Sequence, residues 1–339
     1  MTRATGGIPD TPGQRVLLVT PQFFGYERAI ADEIGRQGHA VELVDERPGN
    51  SALTRALLRV LPVLARRQVR RHYHRLTAEH TAQPYDVVLA VKAETVPESF
   101  LARLREASPD ARFVIYTFDS FRNSPRAARL RDRFDAGYSF DPVDTRADPR
   151  FDYLPLFYSD PFRARRKTEP SYDLSFVGTM HSDRYAWIRD VLAYAARPYT
   201  FLHVQAGWYF WLRRLTDRRW SRLRRQDVST DKLSLSEVAE VFSSSRAVLD
   251  VQRSGQVGLT MRTFEVLAAG AALVTTNRTI LDEPCYRPDS VFVLDAERGV
   301  PPDLGPWLER CAPVEPSVIA PYSLEAWVSR LLAGAAGPS

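Results

Sequence analysis

The sequence predicts an α/β protein built from two Rossmann-like domains in tandem. Three observations carry this. Short apolar, β-branched runs alternate with stretches of helical spacing; the alternation stops near residue 150 and restarts near 172; and a polar, proline-bearing segment over 161–171 separates the halves. Strands that alternate with helices form parallel sheets covered on both faces, so the strands read as nearly continuous apolar runs.

The first half runs in order. RVLLVT (15–20) is a buried strand, ERAIADEIGRQG (27–38) a helix with a glycine stop, and AVELVDE (40–46) a strand. A long helical region covers 51–79, followed by the strand YDVVLAV (85–91), the helix ESFLARLREA (98–107) and the strand RFVIYTF (112–118). In the second half, YDLSFVG (172–178), YTFLHV (199–204) and RAVLDVQ (246–252) are strands, and 184–196 and 235–245 are helices. The expected organisation is a disordered lead-in (1–14), a first domain (15–160), a linker (161–171) and a second domain (172–339). In open α/β sheets ligands bind beyond the carboxyl ends of the strands, and with two such domains the expected site is the cleft between them.

Composition narrows the function. The chain has 339 residues, 44% hydrophobic, with a net charge of +5. That length suits two domains. The polar start MTRATGGIPDTPGQ has no secretory h-region and no apolar run reaches the ~20 residues of a membrane span, so a cytoplasmic protein is expected. Cys285 and Cys311 are not spaced for metal and read as reduced thiols. Arginine carries nearly all the positive charge, since lysine occurs only at 92, 167 and 232. This balance fits anionic small ligands or an anionic membrane surface, and nucleic acid is not expected as a partner.

The stretch VQRSGQVGLTMRTFEVLAAGAALVTTN (251–277) passes from a strand through a glycine loop into a short helix and back to a strand. Backbone N–H groups at a helix start attract phosphate oxygens. Gly258 and Thr260 lie at that start, Arg262 adds a planar cation suited to diphosphate, and Glu265 can accept hydrogen bonds from vicinal hydroxyls. A surface Arg–Glu pair at i,i+3 is the alternative.

Gly-x3-Arg-x2-Glu-x-Leu-Ala-x-Gly-x3-Val-Thr, at 258–275, resembles the nucleotide-sugar signature of GT-B glycosyltransferases. TPQFFGYERAIADEIGRQGHAVELVDERPGNS (20–51), YTFDSFRNSP (116–125), FDPVDTR (140–146) and YDLSFVGTMHSDRY (172–185) are similar to bacterial glycosyltransferases of surface-polysaccharide and spore-maturation type. The resemblance implies a GT-B fold with an interdomain cleft and no cofactor beyond a nucleotide-diphosphate sugar, expected to be a UDP-sugar. It implies transfer to an acceptor that is a surface polysaccharide or a natural-product intermediate, and Glu265 as the ribose ligand. Gly178, Thr179 and Arg184 would join the donor site; an ordinary βα turn capped by Ser182 is the alternative. Many retaining members have a glutamate where this chain has Val257, so the stereochemical outcome does not carry over. No Asp-x-Asp motif is present, and a metal-independent site is expected, with arginine and helix dipoles neutralising the leaving diphosphate. A non-hydrolysing nucleotide-sugar epimerase and a catalytically silent nucleotide-sugar-binding protein are the alternative functions.

On the acceptor side, Asp119 lies just past a strand end and is the expected general base, with a helix N-cap as the alternative. Glu27 is the competing base, and Phe24, Gly25 and Tyr26 form the loop that would approach the acceptor. Finally, the basic, aromatic segments 56–75 and 207–225 read as peripheral contacts with the inner face of the membrane. The alternative is an apolar core stripe under a solvated arginine face.

Overall fold

The computed structural model describes residues 13–23, 25–49, 62–163, 167–179, 185–204, 207–216, 228–252, 257–295 and 298–333. The chain divides into two compact units: 1–154 with 328–339, and 155–327. The division therefore falls at Leu154/Pro155 rather than in the segment 161–171, and the chain from Val328 onward goes with the first unit. Arg112 of the first unit explains that return locally, because its Nη1 donates to the carbonyls of Leu331 (2.9 Å) and Leu332 (3.2 Å).

The first unit holds β1 (Arg15–Thr20), β2 (Ala40–Asp45), β3 (Val87–Val91), β4 (Arg112–Thr117), β5 (Ala136–Ser139) and β6 (Asp152–Tyr153). They form a parallel sheet of order β2-β1-β3-β4-β5-β6. Every residue of β3 is buried, as expected for a parallel strand covered on both faces. On one face, Leu17, Val19, Val88, Ala90, Phe113 and Ile115 pack against Tyr73 and Leu76 of the helix Pro62–His80 and Phe100, Leu101 and Leu104 of the helix Glu98–Ala107. Burying each valine, leucine, isoleucine or phenylalanine among them contributes about 1.5–3 kcal/mol, which seats both helices.

The second unit holds β7 (Tyr172–Thr179), β8 (Pro198–His203), β9 (Val228–Ser229), β10 (Ser245–Asp250), β11 (Ala272–Thr275) and β12 (Val291–Val293). They too pair in parallel, in the order β12-β11-β10-β7-β8-β9. Within the unit this is the doubly wound order 3-2-1-4-5-6, while the first unit has the flavodoxin-like order 2-1-3-4-5 with one strand added. Each order has a switch point where successive connections leave in opposite directions and the loops splay apart. It lies between β1 and β3 in the first unit and between β7 and β10 in the second.

Most expected elements are present within a few residues, and Glu98–Ala107 matches its expected span. β5, β6, β9 and β12 are additions of two to four residues at or near the sheet edges, too short to show a periodicity of their own. The helices Leu304–Arg310 and Leu324–Leu332 are further additions.

Candidate functional site

In the second unit, β7 and β10 carry the candidate donor residues to the switch point. β7 ends Val177-Gly178-Thr179, and β10 leads through a loop into the helix Met261–Ala268. Arg262, in the first turn of that helix, donates through Nη1 to the carbonyl of Val177. The guanidinium thus lies across Gly178: a methyl on Gly178 would sit 3.6 Å from Arg262 Nη1 and only 2.8 Å from a ring carbon of Phe176. Any larger residue here would have to displace the Phe176 ring. Arg262 Nε is buried and has no hydrogen-bond acceptor among the described residues, as expected of a cation arranged for an anionic ligand.

The helix start is left open in a specific way. Thr260 occupies the N-cap with extended backbone, but its side chain makes no cap bond. Its Oγ1 donates instead to Asp250 Oδ2 at 3.1 Å, so the N–H groups at the helix start have no cap from the Thr260 side chain and retain their pull on anions, although Thr263 N–H donates to Thr260 O at 3.1 Å. The preceding loop is held from the other side. Asn277 Nδ2 donates to the carbonyls of Val257 (3.1 Å) and Gly258 (3.3 Å), and Thr279 Oγ1 donates to Val257 O at 3.0 Å. Across planar trans peptides, carbonyls turned toward Asn277 turn the N–H groups of Gly258 and Leu259 the opposite way. Glu265, one turn along, is 5% exposed. Gly270 stops the helix in the left-handed region at φ 78°, which glycine adopts without steric cost.

In the first unit, the loops after β1, β3 and β4 converge at the carboxyl edge. Gly25 is left-handed (φ 85°) at the N-cap of the helix Tyr26–Arg36. Glu27, 7% exposed, turns its Oε2 back to accept the N–H of Phe23 at 3.0 Å. It thereby clamps the 23–27 loop, a structural duty the sequence did not disclose. Tyr26 is buried beside Phe23, which also meets Phe118 edge-on at 4.9 Å. Asp119 is half-exposed and caps no helix; Ser124 holds the N-cap of the next one, Pro125–Arg129. Its Oδ2 accepts Lys92 Nζ at 3.0 Å. Lys92 also approaches Glu94 (3.8 Å), which is bonded in turn to Arg47 (2.6 Å).

Lys92 is the residue sequence reasoning missed. The available signal was a lysine just past a strand end in a chain with three lysines. Its backbone is left-handed (φ 76°), as is that of Ala93 (φ 52°), a conformation costing roughly 1–2 kcal/mol per non-glycine residue. Three hydrogen bonds oppose that cost. Lys92 N–H donates to Tyr116 O at 2.9 Å, and the N–H groups of Glu94 and Thr95 donate to the Glu46 carboxyl at 3.2 and 3.4 Å. Glu46 is fully buried, and burial, aided by the nearby Glu94 charge, pushes its carboxyl up to about 8. Strained backbone of this kind persists where the surroundings over-determine it, often at functional sites.

The two groupings are thus Gly178, Thr179, Gly258, Thr260, Arg262 and Glu265 on the second unit, and Gly25, Tyr26, Glu27 and Asp119 on the first. Phe24, Ser182 and Arg184 lie outside the described residues. The helix Pro62–His80 turns Val69, Tyr73 and Leu76 to the core and exposes Arg67, Arg70, Arg71 and Arg75. Its described part therefore shows the core-stripe arrangement.

Residues 187–297 match the model of a family described as glycosyl transferase-like. That span lies within the second unit and includes the loop and helix just described. No curated protein sequence matches the chain. Among solved structures it is similar to AviGT4, a glycosyltransferase involved in avilamycin A biosynthesis (TM-score 0.59, 14% identity, covering 95% of this chain and 99% of that one). It is also similar to the UDP-forming α,α-trehalose-phosphate synthases of Burkholderia vietnamiensis (0.54, 14%, 94% and 99%) and Burkholderia xenovorans, the latter in complex with glucose-6-phosphate (0.56, 11%, 95% and 100%). At these identities the likeness is one of fold. The chain has the GT-B fold, two Rossmann-like units with parallel sheets, and its second unit carries a glycosyl transferase-like segment.

Proposed function

We propose that the protein is a glycosyltransferase that moves a sugar from a nucleotide-diphosphate donor, a UDP-sugar, to an acceptor hydroxyl without a metal ion. The observation that carries this reading is the convergence of Gly178 and Arg262, distant in sequence, over the uncapped start of the helix Met261–Ala268. The diphosphate would lie against Gly178 and the N–H groups of that first turn, with Arg262 neutralising the charge that develops on the leaving group. Glu265 would accept the ribose hydroxyls. On the first unit, Asp119 would take the proton of the attacking hydroxyl, and the loop around Gly25 and Tyr26 would present the acceptor, a polysaccharide end or a small natural-product intermediate. We place the reaction in the cytoplasm, a reading supported by two buried cysteines, Cys285 and Cys311, neither of which is in a disulfide.

The test combines calorimetry and turnover. UDP and a panel of UDP-sugars are titrated into the protein, which is then assayed for transfer with and without EDTA. Binding of UDP and transfer that survives chelation are expected. Complete loss with EDTA, restored by magnesium or manganese, would overturn metal independence. A changed sugar from donor alone would point to an epimerase, and binding without transfer or hydrolysis to a silent binding protein.

A further inference from the structure

The helix Gly207–Thr216 has the sequence GWYFWLRRLT. One side is anchored: Phe210 is fully buried in the core of the second unit, with Leu202, Val204 and Ile188. The anchor fixes which face looks outward, and that face is apolar. Trp208, Trp211, Leu212 and Leu215 stand at i, i+3, i+4 and i+7, the spacing of a single helical stripe, and are 70, 53, 48 and 86% exposed. Eight large hydrophobic side chains are exposed among the described residues, and these four are half of them. Isolated exposed apolar residues are ordinary, whereas a contiguous stripe marks a surface that meets something.

The neighbouring charge indicates the occupant. The helix contains no acid, Arg213 and Arg214 flank the stripe, and the Arg214 guanidinium lies 5.8 Å from the Trp211 ring centroid. The sequence that follows, DRRWSRLRRQD (217–227), adds five arginines and a tryptophan; these residues lie outside the described ones. Tryptophan favours the boundary between water and hydrocarbon, and arginine pairs with anionic headgroups. At ten residues the helix is about 15 Å long, half the ~30 Å of a bilayer core, so it can lie in the interface but not cross. No helix among the described residues is long and apolar enough to span a membrane.

We propose that the outward face of Gly207–Thr216 docks the protein on an anionic lipid surface, with Trp208, Trp211, Leu212 and Leu215 entering the headgroup boundary and Arg213 and Arg214 engaging the headgroups. The helix begins four residues after β8, the strand beside β7. The helix therefore starts near the carboxyl edge of the sheet that carries Gly178. The proposal does not rest on the transfer reading, because it is read out without any substrate.

The experiment is flotation of the full-length protein with vesicles of phosphatidylcholine, alone or containing about a third phosphatidylglycerol. Wild-type protein is expected to float with the anionic vesicles and to lose most of that binding at high salt. Trp208→Ser with Trp211→Ser is expected to weaken binding by at least about tenfold while the protein stays folded with at most a small drop in melting temperature, since Trp211 also meets Phe210 edge-on at 5.5 Å. Arg213→Glu with Arg214→Glu is expected to abolish the preference for anionic over neutral vesicles. Trp208→Ser alone, at the most exposed tryptophan, serves if the double variants fold poorly. Wild-type protein that stays unbound, or serine variants that bind undiminished, would overturn the proposal. So would a concentration-dependent dimer dissolved by Trp211→Asp in a protein that ignores vesicles, since the stripe would then be the seat of a second copy.

Discussion

At the switch point of the first unit, charge is met by charge. Lys92 faces Asp119 and Glu94, and Glu94 faces Arg47. The turn that carries Lys92 is strained and is clamped from beneath by a buried carboxyl. At the switch point of the second unit the polar groups are mostly backbone. They belong to a helix start whose threonine bonds elsewhere, and to a loop held by its carbonyls through Asn277 and Thr279. Arg262 is the charged group laid over them, with a buried N–H that has no acceptor among the described residues. The difference teaches what each edge suits. Fixed N–H groups beside a cation stabilise an anion such as diphosphate with little reorganisation. An edge that alternates acids and cations has little net charge but many directed donors and acceptors, and suits neutral hydroxyls and the movement of a proton.

The largest expected effect tests that division directly. Asp119→Asn keeps the size but removes the basicity, so turnover should fall by about 10²–10⁴-fold while UDP affinity by calorimetry stays nearly constant. A variant that turns over at close to the wild-type rate would remove proton transfer from Asp119 and weaken the contrast between the edges.

The clamp beneath the first edge makes a pH signature. Folded Glu46 keeps its proton up to about pH 8, whereas the unfolded chain releases it near the ordinary glutamate value. Between those two values a rise in pH favours the unfolded chain, so stability falls. The loss should be roughly 3 kcal/mol between pH 5 and 8. Denaturant unfolding across that range should show the slope in wild-type protein and a clearly shallower one in Glu46→Gln. Equal slopes would mean that the carboxyl is charged in the fold.

On the second edge, Glu265→Ala should weaken nucleotide-sugar binding by roughly 1.5–3 kcal/mol through lost charge-assisted hydrogen bonds, with the fold retained. Unchanged affinity would take Glu265 out of the site. The smallest effect separates backbone strain from contact. Gly25 has φ 85° and, among the described residues beyond its chain neighbours, nothing within 4 Å of the position its Cβ would take, so Gly25→Ala should cost only the left-handed penalty, about 1–2 kcal/mol in unfolding free energy. A much larger loss would show that the 23–27 loop has no room for a methyl.

The sequence by itself determined the alternation of elements and hence two parallel α/β units. RVLLVT and VVLAV are apolar at nearly every position because both faces of their strands are covered, and covered strands cannot alternate. It also determined local stops such as Gly270, because a left-handed residue after a helix is a local steric matter. It pointed to Gly178, Arg262 and Glu265 through spacing and resemblance, but only the tertiary structure laid Arg262 across Gly178, since that contact joins the end of β7 to a helix some 85 residues along the chain. The same holds for Lys92 and Glu46. No local pattern tells that a glutamate at one strand end will be buried beneath a turn some 48 residues later, or that a lysine there will be held left-handed against Asp119. The helix at 207–216 shows the division most plainly. Its composition announced a basic, aromatic segment, but whether the tryptophans faced the core or water depended on where Phe210 was seated, and periodicity alone leaves that open because two apolar faces of one short helix are equivalent until a core exists to bury one of them.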